Sequence, residues 1–277
     1  MIDLHLHSTY SDGNKTLKQL IELCKEKNIK TISFTDHNSI KSLKEIDQLS
    51  KDEKDINFIN GIELYPLKDG VHGFHLLVYD YKLTENFLKL MEELDNNRRN
   101  NIKEKLDLIK EKYNIEINID ELPDIWLSNH TIRMYLNNKY SVEDSNKIMD
   151  YINSKNIKVK KKVEYKKLME IINEAEGISV LAHPKSVECD DFDEFITDLM
   201  IKGLKGIEVY HSSHSKEDVE KYLEIAKDKK LLISGGSDYH GYDKKNYQGL
   251  DVEVGEYYGK EDNEINIIQF INRRKKC

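Results

Sequence analysis

Nine residues of the types that bind metal ions recur along this chain, each close to the end of a predicted strand. They are His5, His7, Asp12, His37, Glu63, His75, His183, Asp238 and His240. The chain has only ten histidines, and six of them belong to this set. Imidazoles and carboxylates that converge on one point form metal sites. The set therefore predicts a multinuclear metallohydrolase.

The spacing within the set supports convergence. In the segment DLHLHSTYSDG, His5 and His7 are two residues apart, and residues two apart on a strand point to the same side. Asp238 and His240 repeat this spacing after a two-glycine turn. A single metal uses three or four protein ligands. The set thus predicts two to three divalent ions that share a carboxylate, and mixed ligands of this kind accept Mn²⁺, Fe²⁺ or Zn²⁺. Any one of these residues alone favours a structural role, and only their joint occurrence at strand ends favours a metal centre.

The elements that must position these residues alternate between strand and helix. Strands are predicted at 2–6, 31–35, 56–62, 74–79, 178–182, 206–210 and 231–235, and the first helices at 16–28 and from Ser39. Such alternation predicts a parallel sheet. Metal-type residues at so many strand ends favour a closed barrel, in which the carboxyl ends of the strands carry the chemistry.

One region interrupts the alternation. Residues 95–162 contain no apparent barrel strand and are predicted to form a mostly helical insertion over the C-terminal face of the barrel. The barrel domain then comprises 1–94 and 163–277. The insertion ends in a basic run, which is interpreted as a solvated linker and comprises Lys158, Lys160, Lys161 and Lys162.

Composition limits the class of protein. With 38% hydrophobic and 34% charged residues, the sequence is typical of a soluble globular protein. The net charge of −8 argues against an extended nucleic-acid surface. No apolar run is long enough to span a membrane. The three cysteines, Cys24, Cys189 and Cys277, suggest no disulfide framework, so we expect a cytoplasmic location. The oligomeric state is left open.

The motifs together resemble the PHP family, named for polymerase and histidinol phosphatase. The matching segments are DLHLHSTYSDG, TDHNS, GIEL, HLL, LAHP and GGSDYHG. The resemblance implies an α/β fold, specifically a distorted (β/α)7 barrel, with a trinuclear centre. It implies one metal on His5, His7, Glu63 and Asp238, a second on Glu63, His75 and His183, and a third on Asp12, His37 and His240, with Glu63 as the bridge.

Other segments narrow the expected substrate. IINEAEGISVLAHP and GIEVYHSSH are similar to small bacterial PHP phosphoesterases, which hydrolyse nucleoside 3′,5′-bisphosphates or trim short RNA from its 5′ end. This implies hydrolysis of a phosphate monoester by a metal-bridging hydroxide, with Glu63 and Asp238 in the catalytic centre. The family's arginine-rich helix and RPHIA-like segment correspond here to substrate-binding candidates Arg98, Arg99, His130 and Arg133. The planar fork of arginine suits phosphate, although a surface role is the alternative for each.

Two further histidines follow the predicted strand 206–210. His211 or His214 could protonate the leaving oxygen or hold the substrate, and the alternative is a helix cap or an exposed loop. Asp36, next to His37, is predicted to support that ligand.

Rival functions are a histidinol phosphate phosphatase, a non-catalytic PHP module and a metal-dependent amidohydrolase. The last normally uses a metal-bridging lysine, and no lysine stands at a matching strand end.

Overall fold

The computed structural model describes residues 1–122, 126–155, 157, 163–241, 252–257 and 264–276. The strands are β1 (Ile2–Leu6), β2 (Thr31–Phe34), β3 (Asn57–Phe58), β4 (Gly61–Leu64), β5 (Pro66–Leu67), β6 (Leu76–Tyr79), β7 (Val163–Glu164), β8 (Ile178–Leu181), β9 (Gly206–His211) and β10 (Leu232–Gly236). The helices are α1 (Leu17–Glu26), α2 (Leu43–Asp52), α3 (Glu85–Tyr113), α4 (Asn129–Lys139), α5 (Val142–Ser154), α6 (Tyr165–Glu174), α7 (Phe192–Ile201), α8 (Lys216–Lys229) and α9 (Ile267–Arg274).

The strands form three sheets. Five strands pair in the order β10-β9-β8-β6-β4, three in the order β1-β2-β3, and β5 pairs with β7. Isolated bridges join Leu6 to Tyr239 and His37 to Glu63, so the two larger sheets also meet where the metal-type residues lie. The fold is α/β, and a closed barrel is not detected within the described ranges.

The prediction of an all-parallel sheet is wrong at β6. This strand is antiparallel to both β4 and β8, whereas β1 with β2, β8 with β9 and β9 with β10 are parallel. The chain passes from β4 to β6 without an intervening helix, and a short connection suits antiparallel strands, whereas parallel neighbours need a long crossover. The reversal brings His75, which precedes β6, to the edge where β4 and β8 end.

Two predicted element boundaries also shift. The strand expected at 56–62 is divided into β3, which pairs with β2, and β4, which pairs with β6. The second helix begins at Leu43 rather than at Ser39. The hydrophobic pattern continues across both boundaries, so periodicity alone does not mark them.

Helix α1 illustrates how local sequence places an element. The Thr16 hydroxyl oxygen caps it by accepting from the Gln19 amide, and the Gln19 side-chain oxygen accepts from the Thr16 amide. Its buried face consists of Leu17, Leu20, Ile21 and Cys24, and it packs in one core with Leu6 of β1 and Ile32 of β2. This packing fixes the ends of β1 and β2, where the first histidines follow.

The chain divides into two compact units: Met1–Leu88 with Val163–Cys277, and Lys89–Lys162. The second unit has its own hydrophobic core, built from α3, α4 and α5, with Ile109, Ile132 and Ile152 among its buried residues. The predicted lysine run at 158–162 and Cys277 lie outside the described residues. Among the described helices, none is both long and apolar enough to cross a membrane.

Candidate metal centre

A first group of side chains converges from β1, β4 and the segment after β10. His7 Nε2 lies 3.0 Å from Asp238 Oδ1 and 3.4 Å from Glu63 Oε2. His5 Nε2 lies 3.3 Å from the same aspartate oxygen and 3.5 Å from the same glutamate oxygen. Ligand atoms about 2.1 Å from one ion stand roughly 3.4 Å apart in a tetrahedral shell. The separations therefore suit one shared cation.

The other oxygen of Glu63 faces a second group. Glu63 Oε1 lies 3.0 Å from His75 Nδ1 and 3.0 Å from His183 Nε2, and these two nitrogens are 3.3 Å apart. The carboxylate is fully buried between the groups. Because its two oxygens face different groups, Glu63 has the geometry of a bridging ligand.

A third group lies nearer to solvent. Asp12 Oδ1 is 3.4 Å from His37 Nε2 and 3.2 Å from His240 Nε2. The ring of His7 stands 4.2 Å from that of His37 and 4.1 Å from that of His240, so His7 lies between the first and third groups. The Asp12 side chain is 38% exposed, whereas that of Glu63 is 0% exposed. The centre therefore opens to water on the Asp12 side.

A divalent cation fits these atoms better than hydrogen bonding does. His37 Nδ1 and Glu63 Oε2 are 2.7 Å apart, yet neither atom has a hydrogen-bond partner among the described residues. Among the described residues, His5 Nε2 and both ring nitrogens of His7 also lack a hydrogen-bond partner. A buried polar atom without a partner costs about 1–3 kcal/mol. Shared cations would satisfy Glu63 Oε2 and the Nε2 atoms of His5 and His7.

Hydrogen bonds at the opposite ring nitrogen orient two of the histidines. Nδ1 of His5 is 2.9 Å from Glu208 Oε1, and Nδ1 of His240 is 2.9 Å from the carbonyl oxygen of Asp238. These acceptors favour a proton on Nδ1 and leave the Nε2 lone pair for a metal, an arrangement common to metal-bound histidine. Both Nε2 atoms are those that face the groups described above.

Three side chains of the centre are already in the protonation state that binds metal. Burial lowers the pKa of His7 to about 3 and that of His75 to about 4, so both imidazoles are neutral at pH 7. Burial alone would raise the pKa of Glu63, but the nearby charges of His37 and His5 hold it well below its usual range. Neutral imidazoles and an ionised carboxylate are the forms that bind metal, so an ion would have to displace a proton from His5 and His183, whose pKa values are raised by nearby carboxylates against the effect of burial.

Close approach of β10 to β1 depends on a glycine. A Cβ added at Gly236 would lie 2.4 Å from both the backbone nitrogen and the Cβ of His5. Only hydrogen fits there, and this lets the segment that carries Asp238 reach the histidines of β1.

Two buried carboxylates of this region were not predicted from the sequence. Glu208, within β9, contacts His5, and Asp3 accepts hydrogen bonds from the backbone of His5, from Ser237 and from the backbone of Gly255. Burial raises the pKa of Asp3 despite these bonds. The available signal was an acidic residue inside an apolar strand, since such residues are seldom buried unless paired.

Asp36 does not support His37 as predicted. Its carboxylate accepts hydrogen bonds from the Ser8 amide at 2.8 Å, the Ser8 hydroxyl at 2.8 Å and the Ser11 hydroxyl at 2.7 Å. Consecutive residues of an extended segment point to opposite sides. Asp36 therefore anchors the loop that carries Asp12 and leaves the ring of His37 to the third group.

The structure distinguishes His211 from His214. The Ser213 amide donates to Nδ1 of His211 at 3.1 Å, so the proton of a neutral ring lies on Nε2, 3.4 Å from Asp238 Oδ2. Nδ1 of His214 instead donates to the carbonyl of Val209 at 2.8 Å, and burial lowers its pKa to about 3. His211 alone of the pair directs an N–H towards the first group.

The four predicted substrate-binding residues all belong to the second unit. Arg98 and Arg99 lie on α3, and His130 and Arg133 lie on α4. The Arg98 guanidinium stacks 3.5 Å from the ring centre of Trp126 and donates to Asp95 at 3.1 Å. These contacts organise the second unit, and phosphate binding by the four residues stays a prediction.

The α/β fold with histidines and carboxylates gathered at strand ends defines a class of metal-binding α/β domain. Within that class, residues 3–182 match the PHP domain family, and the chain belongs to this family.

Curated relatives extend over most of the chain. A phosphoribosyl 1,2-cyclic phosphate 1,2-diphosphodiesterase from Eggerthella lenta is 24% identical and covers 86% of this chain and 94% of that protein. A 3′,5′-nucleoside bisphosphate phosphatase from Chromobacterium violaceum is 25% identical, with coverage of 86% and 87%. A 5′-3′ exoribonuclease from Haemophilus influenzae is also 25% identical, with coverage of 86% and 89%.

Solved structures share the fold. A Chromobacterium violaceum protein described as an amidohydrolase with bound sulfate has a TM-score of 0.73 at 22% identity, covering 99% of this chain and 96% of that chain. An inferred metal-dependent phosphoesterase from Bifidobacterium adolescentis has a TM-score of 0.72 at 21% identity, with coverage of 96% and 95%. These likenesses support the α/β fold.

Proposed function

We propose that this protein, a phosphoester hydrolase of the PHP family, removes phosphate from nucleotides by means of three divalent ions. The first ion would bind His5, His7, Glu63 and Asp238, the second Glu63, His75 and His183, and the third Asp12, His37 and His240. The observation that carries the proposal is the position of Glu63, whose two oxygens face two separate histidine groups. The same proposal includes closure of the strands into a distorted (β/α)7 barrel, with the helical insertion at residues 95–162 as its cap.

Bound ions of this kind supply a nucleophilic water near neutral pH and stabilise charge on the transferred phosphoryl group. The residues of this chain would hold those ions around Glu63, which is fully buried and therefore shielded from bulk water. Mn²⁺, Fe²⁺ and Zn²⁺ all suit a mixed set of imidazole and carboxylate ligands.

We assign to the Nε2–H of His211 a hydrogen bond that holds the leaving oxygen of the substrate, because the Ser213 amide bonded to Nδ1 makes the ring a neutral N–H donor. This nitrogen is buried, has no hydrogen-bond partner among the described residues and lies beside Asp238. The Ser213 amide occupies Nδ1 and keeps the proton on the side that faces the centre. His214 is less suited, because its own Nδ1 proton is bound to Val209 and its ring packs against Tyr222 at 4.9 Å.

The substrate class rests on the relatives. Two of those named above act on nucleoside bisphosphates or RNA, and this favours a nucleoside 3′,5′-bisphosphate or a 5′ RNA end. Arg98, Arg99, His130 and Arg133 are the proposed contacts for phosphate or nucleoside. A cyclic sugar phosphate is a second candidate, because the Eggerthella lenta relative acts on one and is covered over 94% of its length. Histidinol phosphate is a third candidate substrate.

The test is phosphate release by Mn²⁺-reconstituted protein from five compounds: adenosine 3′,5′-bisphosphate, a 5′-phosphorylated oligoribonucleotide, phosphoribosyl 1,2-cyclic phosphate, histidinol phosphate and AMP. The wild type is compared with His183→Ala and with His72→Ala. His72 is an exposed histidine of the same unit that belongs to none of the groups, so it controls for loss of an imidazole. The cyclic diester is followed by product analysis, because opening its ring releases no free phosphate.

We expect the highest kcat/KM on the bisphosphate or the RNA end, with loss in His183→Ala and retention in His72→Ala. A preference for the cyclic phosphate or histidinol phosphate would replace the substrate and keep the metal centre. Equal rates in the wild type and His183→Ala would refute the metal centre itself.

A further inference from the structure

Glu208 is a fully buried carboxylate in the middle of β9. A buried charge is unfavourable unless its oxygens are hydrogen-bonded or paired. Its hydrogen bonds join it to two histidines of the candidate metal centre, His5 and His183. The residue therefore contributes to the site without facing the substrate.

The two oxygens of Glu208 have different tasks. Oε1 lies 2.9 Å from Nδ1 of His5, a member of the first group. Oε2 accepts a hydrogen bond from the backbone amide of His183, a member of the second group, at 2.7 Å. Because N–H donors already use both oxygens, Glu208 is suited to orient ligands rather than to bind an ion itself.

The backbone of His183 needs such a restraint. It has φ 25° and ψ 63°, and a positive φ is unfavourable for a residue with a Cβ. Conformations of this kind persist when their surroundings hold them in place. The bond from Glu208 to the His183 amide acts on this residue, and Ser186 Oγ lies 2.7 Å from the Nδ1 of the same imidazole.

We propose that Glu208 is a positioning residue that couples the first two metal sites. It keeps the proton of His5 on Nδ1, so that Nε2 can bind the first ion, and it holds His183 in the strained conformation that directs Nε2 to the second. The inference rests on the proposed metal centre and adds to it a residue on which two ions depend.

Glutamine at this position gives a sharp test. A carboxamide has one oxygen and one NH₂ group, so it cannot accept hydrogen bonds from both donors. The amide proton of His183 cannot move, so the oxygen should turn towards it. The NH₂ group would then face Nδ1 of His5 and force the ring proton onto Nε2, the atom required for the metal.

The experiment compares wild type, Glu208→Gln, Glu208→Asp and Glu45→Gln in Mn²⁺ and Zn²⁺ titrations, with circular dichroism to verify folding. Glu45 accepts a hydrogen bond from Tyr10 in the same unit and belongs to none of the three groups, so it is the matched control. We expect Glu208→Gln to weaken metal binding about 10- to 100-fold, as changes to supporting groups do. Its kcat should recover as free Mn²⁺ is raised, because the group acts through the ion.

A second readout is independent of turnover. In Zn²⁺-loaded wild type, ¹⁵N-labelled histidine should show a slowly exchanging Nδ1 proton for His5, and Glu208→Gln should lack it. Unchanged metal affinity and an unchanged His5 signal in Glu208→Gln would overturn this inference while leaving the metal centre intact. Failure of the wild type to bind metal would instead refute the proposed function. If Glu208→Gln does not fold, Glu208→Asp, whose shorter side chain cannot reach both donors, must show the weakened binding.

Discussion

The polar groups of the two units are satisfied in different ways. In the first unit, one ring nitrogen each of His5, His7 and His37 lies within 4 Å of Glu63 Oε2, and these buried atoms lack hydrogen-bond partners among the described residues. In the second unit, Arg98 stacks on Trp126 and is bonded to Asp95. The first arrangement leaves buried atoms unsatisfied without a ligand, whereas the Arg98 side chain has partners within its own unit. The difference teaches that a cation site is recognised by its unsatisfied atoms more than by its residue types.

The strongest test of this comparison removes the shared carboxylate. Glu63→Ala takes one ligand from each of two groups, so we expect loss of about two ions per chain. Activity should fall on the order of 10³-fold, since fixed charge at the reacting phosphate is the main catalytic device. Metal content by mass spectrometry and kcat/KM measure the two effects. Full metal content in Glu63→Ala would contradict the bridging geometry, and Glu45→Gln serves as the control.

A second test destabilises the hydrophobic core of the second unit. Ile132 is fully buried in the core of the second unit, and Ile132→Ala should destabilise that unit by about 2–5 kcal/mol. Metal binding should be unchanged, because none of the three groups uses a residue of 89–162. Chemical denaturation and metal titration measure the two quantities. Met134→Ala, at an exposed position of the same helix, should change neither. A large loss of metal affinity in Ile132→Ala would contradict the separation.

A third test uses pH. Although burial opposes it, the carboxylates of Glu208 and Asp238 raise the pKa of His5 well above its usual value. In the metal-free protein, attraction between the protonated His5 ring and these carboxylates stabilises the fold. This stabilisation is complete below about pH 6.5 and is lost as the pH rises through the raised pKa of His5. The lowered pKa of Glu63 contributes stability above about pH 4.3, which is lost as the pH falls.

A metal must displace the His5 proton, so metal binding strengthens as the pH rises. We therefore expect the difference in Tm between metal-loaded and metal-free protein to widen from pH 6 to pH 8. Thermal unfolding with and without chelator measures it. A difference that is constant with pH would show that no imidazole proton competes with the ion.

The smallest expected effect is on substrate affinity. Arg133→Ala removes a guanidinium that bonds Asn146 on the neighbouring helix, and we expect KM to rise about tenfold if it binds phosphate, the value of one charge-assisted hydrogen bond. Arg133→Lys keeps the charge without the planar fork and should give an intermediate KM. An unchanged KM in both variants would show that Arg133 does not contact the substrate and has only a structural role in the second unit.

Much of the centre could be predicted because each metal-type residue lies in a short segment of strong local pattern. Paired histidines at the end of a strand and an aspartate after two glycines are visible in sequence, and their convergence follows from strands that end at one edge. The same segments also predicted the family, and residues 3–182 match the PHP domain. That these residues bind metal stays a prediction.

The remaining features depend on tertiary contacts that no local pattern encodes. The reversal of β6 depends on which strands it meets, because its apolar residues would suit either direction. Glu208 and Asp3 were missed, since one acidic residue in a strand reads equally as a solvent-facing charge. Asp36 was assigned to the wrong neighbour, because its partners Ser8 and Ser11 lie far away in sequence.

The partial exposure of Asp12 has a consequence for exchange kinetics. An ion held by Asp12, His37 and His240 would have one ligand whose side chain is 38% exposed, whereas the ligands of the ions held by Glu63 are at most 20% exposed. The three positions should then empty in sequence during dialysis, the Asp12 position first and the enclosed pair together. A protein of this design would keep a permanent two-ion centre, while its third position would equilibrate with the metal supply of its surroundings.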